Sequence, residues 1–436
     1  MNILVITRSP WNDSNGLGMT LNSIFQGFPK DFHFFNLCFR SGSSVANVPE
    51  SRYQVTDLDI LKNLLRATKP GCEILCTHEK EPSTEKENEA EKKYINFFLK
   101  KNWKIAWFLR EILWDTNIWK TIELDEYIRK IKPDIVFFPV FNYCYPFKVT
   151  DYVLKKTHAK LVMYHVDDNY SMRQINGSPL FWIYRIFLRK WIKKFTAVSY
   201  KNYVISEVQK DEYKEDLGIE SSILTKCADF SRAYKYITTQ VEKPIKIIYT
   251  GNLHSNRWKS IALLSKALGE IVTPADVKII VYSGTPLTKP MKKILMGNDY
   301  IDFRGSVPAD EIPKVQSSAD ILLHVEAFDK KNSTMVHQSF STKIVDYLHS
   351  GKCVMAIGPH DVASIMHLKK NDMALVATNA DEIKEIFQKV MDDPEIIGRY
   401  AEKAFAGGQQ YHDVHHFHDM LINDFEKVVN NEYCSN

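Results

Sequence analysis

Cysteine is sparse in this 436-residue chain, and its seven thiols are scattered, with no CxxC pair and no Cys/His cluster at metal-ligand spacing. That pattern excludes a disulfide scaffold and a zinc module, and it suits a reducing cytoplasm. No apolar run reaches the length of a membrane-spanning helix. Charge of one sign is also in short supply, since 57 Lys+Arg against 53 Asp+Glu leave a formal net charge of +4. A dedicated nucleic-acid binder needs a concentrated basic field, so no nucleic-acid partner is expected. The opening MNILVIT has too few apolar residues for a signal peptide and reads as a first strand. Neither an internal repeat nor a low-complexity tract is evident.

What is present is a globular composition, 44% hydrophobic and 25% charged, at a length that allows two or three domains with full cores. Strand candidates alternate with helical patterns, which points to an α/β chain with parallel sheets and covering helices. In the first half they are Ile3 to Thr7, Phe34 to Phe39, Ile135 to Val140, Leu161 to Val166 and Tyr203 to Ser206. After a polar connection, TTQVEKP, the pattern restarts with Ile245 to Thr250, Val277 to Ser283, Ile301 to Arg304, Ile321 to Val325, Cys353 to Ile357 and Ala374 to Val376. Two doubly wound domains of similar size account for this better than one very large sheet. The chain ends in an amphipathic helix with Phe417, Leu421, Phe425 and Val428 in register. The charged run from Thr77 to Lys93 reads as a solvated loop or insert.

Four segments can carry chemistry. In FSTKIVDYLHSGKCVMAIGP, a helix opens with Ser341, Thr342 and Lys343 beside an apolar strand, so its unpaired amides and dipole can receive an anion. An ordinary hydroxyl N-cap fits the same residues. Gly16 and Gly18 after the first strand allow close backbone approach to a ligand, although GLGM lacks the third glycine of a dinucleotide fingerprint. Arg257 and Lys259, just past the strand KIIYT, can neutralise a diphosphate or be a solvated surface pair. MYHVDDNYS brings His165, Asp167 and Asp168 to a sheet edge, where they can bind hydroxyls, move a proton or simply cap a turn. Two aromatic and basic segments, Tyr94 to Trp114 and Phe181 to Phe195, fit either a bilayer interface over anionic lipid or core-packed helices with snorkelling cations.

Together these segments resemble the GT-B glycosyltransferases, specifically the retaining enzymes of glycosyltransferase family 4, over most of the chain. STKIVDYLHSGKCVMAIG is similar to the family's PSK-I-x-E-Y-L-x-x-G-x-P-V segment, and YVISEVQKDEY to its ISE-x-M-x-x-EY. TGNLHSNR, FRGSVPADEIPKVQSSADILLH and HVDDNYS, the last similar to HDDW, fall in the family's order. The resemblance implies two Rossmann-like domains with a cleft between them: residues 1–238 on the acceptor side, with an inserted helical segment at about 80–130, and 244–405 for the nucleotide sugar. Residues 406–436 would form a helix packing back on the first domain.

By the same resemblance the helix start at Ser341, Thr342 and Lys343, together with Arg257, Lys259, Gly16 and Gly18, would hold the donor's diphosphate. Gly284 would border the donor pocket, Ser306 and Val307 would offer backbone groups to the base, and His165 would contact the transferred sugar, with Asp167 and Asp168 on the acceptor side. Asp346 stands where the family has the second glutamate of its E-x7-E motif, which binds ribose. Three departures are visible: Gln338 replaces the first glutamate, Asp346 is one methylene short of the second, and Asn252 replaces a phosphate-binding arginine. The function implied is metal-independent, retaining transfer of a sugar from a nucleoside-diphosphate sugar, without further cofactor, to a glycan or polyprenyl-linked glycan. The setting would be bacterial surface polysaccharide synthesis, in the cytoplasm or at the inner face of the membrane. The altered E-x7-E motif also fits a catalytically weak relative serving as a scaffold or glycan-binding partner; a sugar epimerase is disfavoured because its acid and histidine pattern is not evident.

Overall fold

The computed structural model describes residues 1–12, 16–42, 48–76, 105–231 and 241–432. The charged run at 77–93, the first part of the segment from Tyr94 and the first three residues of the polar connection lie outside these residues. Two sheets organise the chain. The first contains β1 (Asn2–Thr7), β2 (His33–Cys38), β3 (Pro49–Gln54), β4 (Cys72–Leu75), β5 (Ile135–Pro139), β6 (Lys160–His165), β7 (Lys201–Val204) and β8 (Ser222–Ile223). Its order is β4-β3-β2-β1-β5-β6-β7-β8, parallel except between β3 and β4. The second contains β9 (Ile245–Thr250), β10 (Val277–Tyr282), β11 (Ile301–Gly305), β12 (Ile321–Val325), β13 (Cys353–Ile357) and β14 (Leu375–Ala377), ordered β11-β10-β9-β12-β13-β14 and parallel throughout. This is the expected pair of doubly wound α/β domains.

The strands read from sequence are those with continuous apolar runs, such as IVFFP and CVMAI, each buried along its whole length under helices on both faces. Three strands toward the ends of the first sheet, β3, β4 and β8, have no such run and are not among those expected from sequence. β3 is PESRYQ, a polar string whose Arg52 and Gln54 are nonetheless buried, so period and composition disagree there. In each sheet the order reverses beside the first strand of the domain, between β1 and β5 and between β9 and β12. Such switch points open crevices at the carboxyl ends of strands, and these two share one cleft, as the cavity below demonstrates.

The chain crosses between domains twice. Residues after β8 pair with the break between two long helices: Ala228 N–H donates to the His412 carbonyl at 3.0 Å, and Val414 N–H to the Ala228 carbonyl at 2.9 Å. Where one terminal helix was read from 406 onward, the structure has two. Glu395–His412 packs on the second domain, and Val414–Val429 closes one face of the first sheet. Asp413 ends one and caps the next, accepting from His415 N–H at 2.9 Å. In the second helix Phe417, Leu421, Phe425 and Val428 are buried as their spacing requires, and Tyr203 donates to Asp424 at 2.7 Å.

Phe425 is fully buried, with its ring 6.4 Å from that of Phe25 and 6.3 Å from that of Phe137. Phe425→Ala should cost about 3–5 kcal/mol in a denaturant melt, as expected for an emptied aromatic site. Glu426→Ala, at the exposed neighbour, should stay within about 0.5 kcal/mol. Equal effects would mean that the helix is not docked as described.

Candidate functional site

The carboxyl edges of both sheets line one cavity of about 450 Å³. The first domain contributes Gly16, Leu17 and Thr20 after β1, Tyr164 to Asp167 around the end of β6 excepting His165, and Thr225 and Lys226 beyond β8. The second contributes Gly251, Asn252 and Arg257 after β9, Glu326 after β12, and the approach to the helix Thr342–His349. Ser341 is the N-cap residue of that helix, but its side chain makes no cap hydrogen bond. The helix end therefore faces the cavity without the hydroxyl lid that a purely structural N-cap would supply.

Two cations of the second domain converge here. Arg257 begins the helix Arg257–Leu268, and its Nε and Nη2 reach the two oxygens of Glu326 at 3.1 Å each, while Nη1 donates to Asn252 Oδ1 at 3.0 Å. Glu326 is buried, so the guanidinium is aimed by a fixed bidentate partner. Lys343 donates from Nζ to the Thr250 carbonyl at 3.1 Å and lies 4.6 Å over the Tyr249 ring. Gly251 makes room for it: its φ is +149°, and a Cβ at that position would collide with the Lys343 ammonium. Desolvation, followed by repulsion from Arg257, pushes the Lys343 pKa down to about 8, against the attraction of Glu326 and Asp346. An anion entering the cavity would relieve that strain.

A second chamber of about 460 Å³ adjoins the first on the N-terminal side, sharing Val166, Asp167, Val336 and Ser339 with it. Asp167 sits at the junction, open to the cleft but walled by protein. Desolvation, and after it Asp168, raises its carboxyl to about 6, with a hydrogen bond from Ser339 acting the other way. Arg8, Asn142 and Gln174 offer further polar groups in this chamber.

Gly16, Asn252, Arg257, Ser341, Thr342, Lys343 and Asp167 are thus brought to one cavity. Other candidates are placed differently, each for a local reason. His165 is fully buried beneath the cleft: its Nε2 is 3.3 Å from Asn202 Oδ1, its Nδ1 finds no partner, and burial pushes its pKa down to about 4, so it stays neutral. Strand alternation explains this, because Tyr164 and Val166 take the cavity side. Lys259 is exposed outside the cavity, since two residues along a helix from Arg257 is nearly the opposite face. Asp168 borders the second chamber, but its carboxylate is committed to Ser171 and to Arg185, whose Nη2 lies 2.9 Å away in a buried ion pair. Gly18 is buried one turn into its helix, where a Cβ would strike the Asn12 carbonyl. Gly284 and Ser306 are neighbours at the ends of β10 and β11, and with Val307 they lie outside the 450 Å³ cavity. Asp346 also lies outside its lining and is paired with Lys226 Nζ at 2.5 Å. Lys226, Glu326, Thr225 and Ser339 are site residues without a motif of their own; Glu326 is 69 positions from the arginine it holds.

Residues 244–393 match the family described as Glycosyl transferases group 1. No curated protein matches the sequence. Among solved structures, Anabaena HepE in complex with UDP and glucose is similar at a TM-score of 0.63 and 12% identity, over 98% of this chain and 100% of that one. Sucrose-phosphate synthase from Thermosynechococcus elongatus gives 0.61 and 11% over 98% and 99%, and a glycosyltransferase from Rickettsia africae gives 0.59 and 13% over 98% of each chain. Residues 244–393 thus match a glycosyl transferases group 1 domain, within a chain that has the two-domain GT-B fold.

Proposed function

We propose that this protein transfers a sugar from a nucleoside-diphosphate sugar held in the interdomain cavity to a glycan or polyprenyl-linked glycan entering through the adjoining chamber. One observation carries the reading: Arg257, Lys343 and the open amino end of the helix Thr342–His349 converge in a cavity that both domains line. HepE, which shares the fold, holds UDP and glucose. In the transfer, the bond from the sugar carbon to the phosphate oxygen breaks and one to the acceptor oxygen forms, while the acceptor's proton leaves with the diphosphate. Arg257, Lys343 and the helix end stabilise the charge that develops on the departing oxygen, so no metal is invoked for that task. Asp167, at the mouth of the acceptor chamber, accepts a hydrogen bond from the incoming hydroxyl. We assign retention of configuration to the reaction from the likeness to the retaining enzymes.

The acceptor's lipid anchor finds support in the two packed helices Ile105–Asp115 and Pro179–Thr196. Three of their tryptophans pack inward: Trp107 contacts Phe181 and Tyr184, Trp114 is buried, and Trp191 stacks on Phe147. A bilayer contact of these segments therefore cannot rest on those tryptophans. What faces solvent is apolar and basic, with Ile105, Leu109 and Ile112 on one helix and Ile183, Ile186, Phe187, Lys190 and Lys194 on the other. Such a face suits an anionic bilayer surface, and we propose it as the docking face. No described helix is long and apolar enough to cross a membrane. The alternative of a catalytically weak scaffold draws on Gln338, which stands in place of the family's first acid.

A panel of UDP, GDP, ADP, CDP and TDP should include one ligand that raises the melting temperature, by about 2.7 kcal/mol of stabilisation at a hundredfold excess over Kd. Arg257→Ala should weaken that ligand by about 1.5–3 kcal/mol and remove turnover; a scaffold would keep its biological role in the same variant. Because the free Lys343 has its pKa near 8, diphosphate affinity should fall as pH rises through about 8, with proton uptake on binding detectable by calorimetry in two buffers. Lys343→Gln should flatten that profile. In vesicle sedimentation, Phe187→Glu with Ile183→Glu should lower binding to anionic phosphatidylglycerol vesicles about tenfold or more, and wild-type protein should leave neutral vesicles unbound. Equal binding to both lipids would remove the membrane assignment.

A further inference from the structure

Lys226 enters the cavity from the first domain, opposite Arg257 and Lys343. Its backbone is fixed on both sides. Thr225 Oγ1 lies 2.8 Å from His412 Nδ1, and Cys227 N–H donates to Ser23 Oγ at 3.2 Å, on the helix that starts at Gly16. Its ammonium meets Asp346 Oδ1 at 2.5 Å, across the gap between domains. The side chain of Lys226 is only 14% exposed, while that of Asp346 is 41% exposed. Asp346 stands four residues after Thr342, one turn up on the same face of the helix whose amino end opens to the cavity. The ion pair therefore holds the Lys226 ammonium beside the helix that receives the anion.

Charge accounting points the same way. Three cations, Arg257, Lys343 and Lys226, reach this cavity; Glu326 pairs with Arg257 and Asp346 with Lys226, while the remaining carboxylate of the lining, Asp167, is shared with the second chamber and bonded by Ser339. Lys343 is bonded to a carbonyl and has no carboxylate bonded to it among the described residues. At the helix end itself, Lys343 and the open amides are thus left for an anion such as a diphosphate to neutralise.

Building on the donor reading above, we propose that Lys226 is a diphosphate-binding residue supplied by the opposite domain, and that Asp346 positions it rather than holding ribose. Because the cation and its counter-ion belong to different domains, the third positive charge reaches the leaving group only when the domains stand as close as they do here. Charge neutralisation and closure become one event.

The test is calorimetric, with the nucleoside diphosphate that binds wild-type protein and its matching monophosphate. Lys226→Ala should lower diphosphate affinity about tenfold and leave the monophosphate within about twofold, since only the diphosphate offers the outer group. Lys226→Arg should stay within about threefold, and Asp346→Asn should show a weaker version of the same selective loss, about threefold to tenfold. Melting curves confirm that each variant is folded, and Lys226→Gln replaces Lys226→Ala should the latter not fold. A general fall in affinity for both nucleotides, or an unchanged diphosphate Kd in Lys226→Ala, overturns the proposal while leaving the donor reading intact. Wild-type protein that binds no nucleoside diphosphate overturns both.

Discussion

At the centre of this structure an ammonium is held against a carbonyl instead of a carboxylate. Lys343 reaches the Thr250 carbonyl over the Tyr249 ring, in space that exists because position 251 has no side chain. The usual way to make an enclosed lysine tolerable is to bond it to an acid, which would cancel its attraction for an incoming anion. Here the nearest acids act at a distance, and desolvation together with Arg257 pushes the pKa down to about 8. An anion bound there, as the proposed donor site requires, would offset that desolvation before any specific contact to base or sugar is made.

The neighbouring geometry follows from that constraint. Arg257 must be held off Lys343, and Glu326 does so with a bidentate grip from the end of the adjacent strand β12. Asn256 and Ser255 adopt left-handed backbone conformations to start the helix at Arg257, and Asn256 Nδ2 bonds Asp329 Oδ2 at 2.9 Å to keep that turn in place. The loop on the opposite wall is equally fixed. The buried Arg185–Asp168 pair clamps the chain immediately after Asp167, so the one titratable carboxylate facing both chambers is carried on a braced segment. Rigid placement of charge, not flexibility of the walls, is what such a cleft contributes to transfer.

Legibility in the sequence tracked how local each signal was. The parallel strands were legible because burial on both faces forces unbroken apolar runs, and the donor helix because Ser341 and Thr342 announce its start. Arg257 was legible from its place after β9, while Lys259 followed it into the expectation only because linear proximity was read as spatial proximity. His165 was misplaced by one residue of strand alternation, the smallest error a period of two allows. Glu326 and Lys226 carry no local signal at all. The first acquires its partner through the β9–β12 adjacency and the second across 120 positions, and both pairings are properties of topology.

The two departures from the E-x7-E pattern then have a common physical cause. Gln338 donates from Nε2 to Glu212 Oε2 at 2.5 Å and accepts from Gln209 Nε2 at 3.3 Å, both on the helix Glu207–Leu217 of the other domain. Glu212 also takes His337 at 2.9 Å and Arg173 at 2.6 Å. A glutamate at 338 would set a second carboxylate within hydrogen-bonding distance of Glu212 in a buried interface, where like charges repel strongly. The amide is the side chain that both accepts and donates there without charge. Asp346, the other position of the motif, is likewise turned to the opposite domain, by Lys226. Both positions thus serve the contact between domains, and in the proposed donor site recognition rests on the cations that this contact brings together.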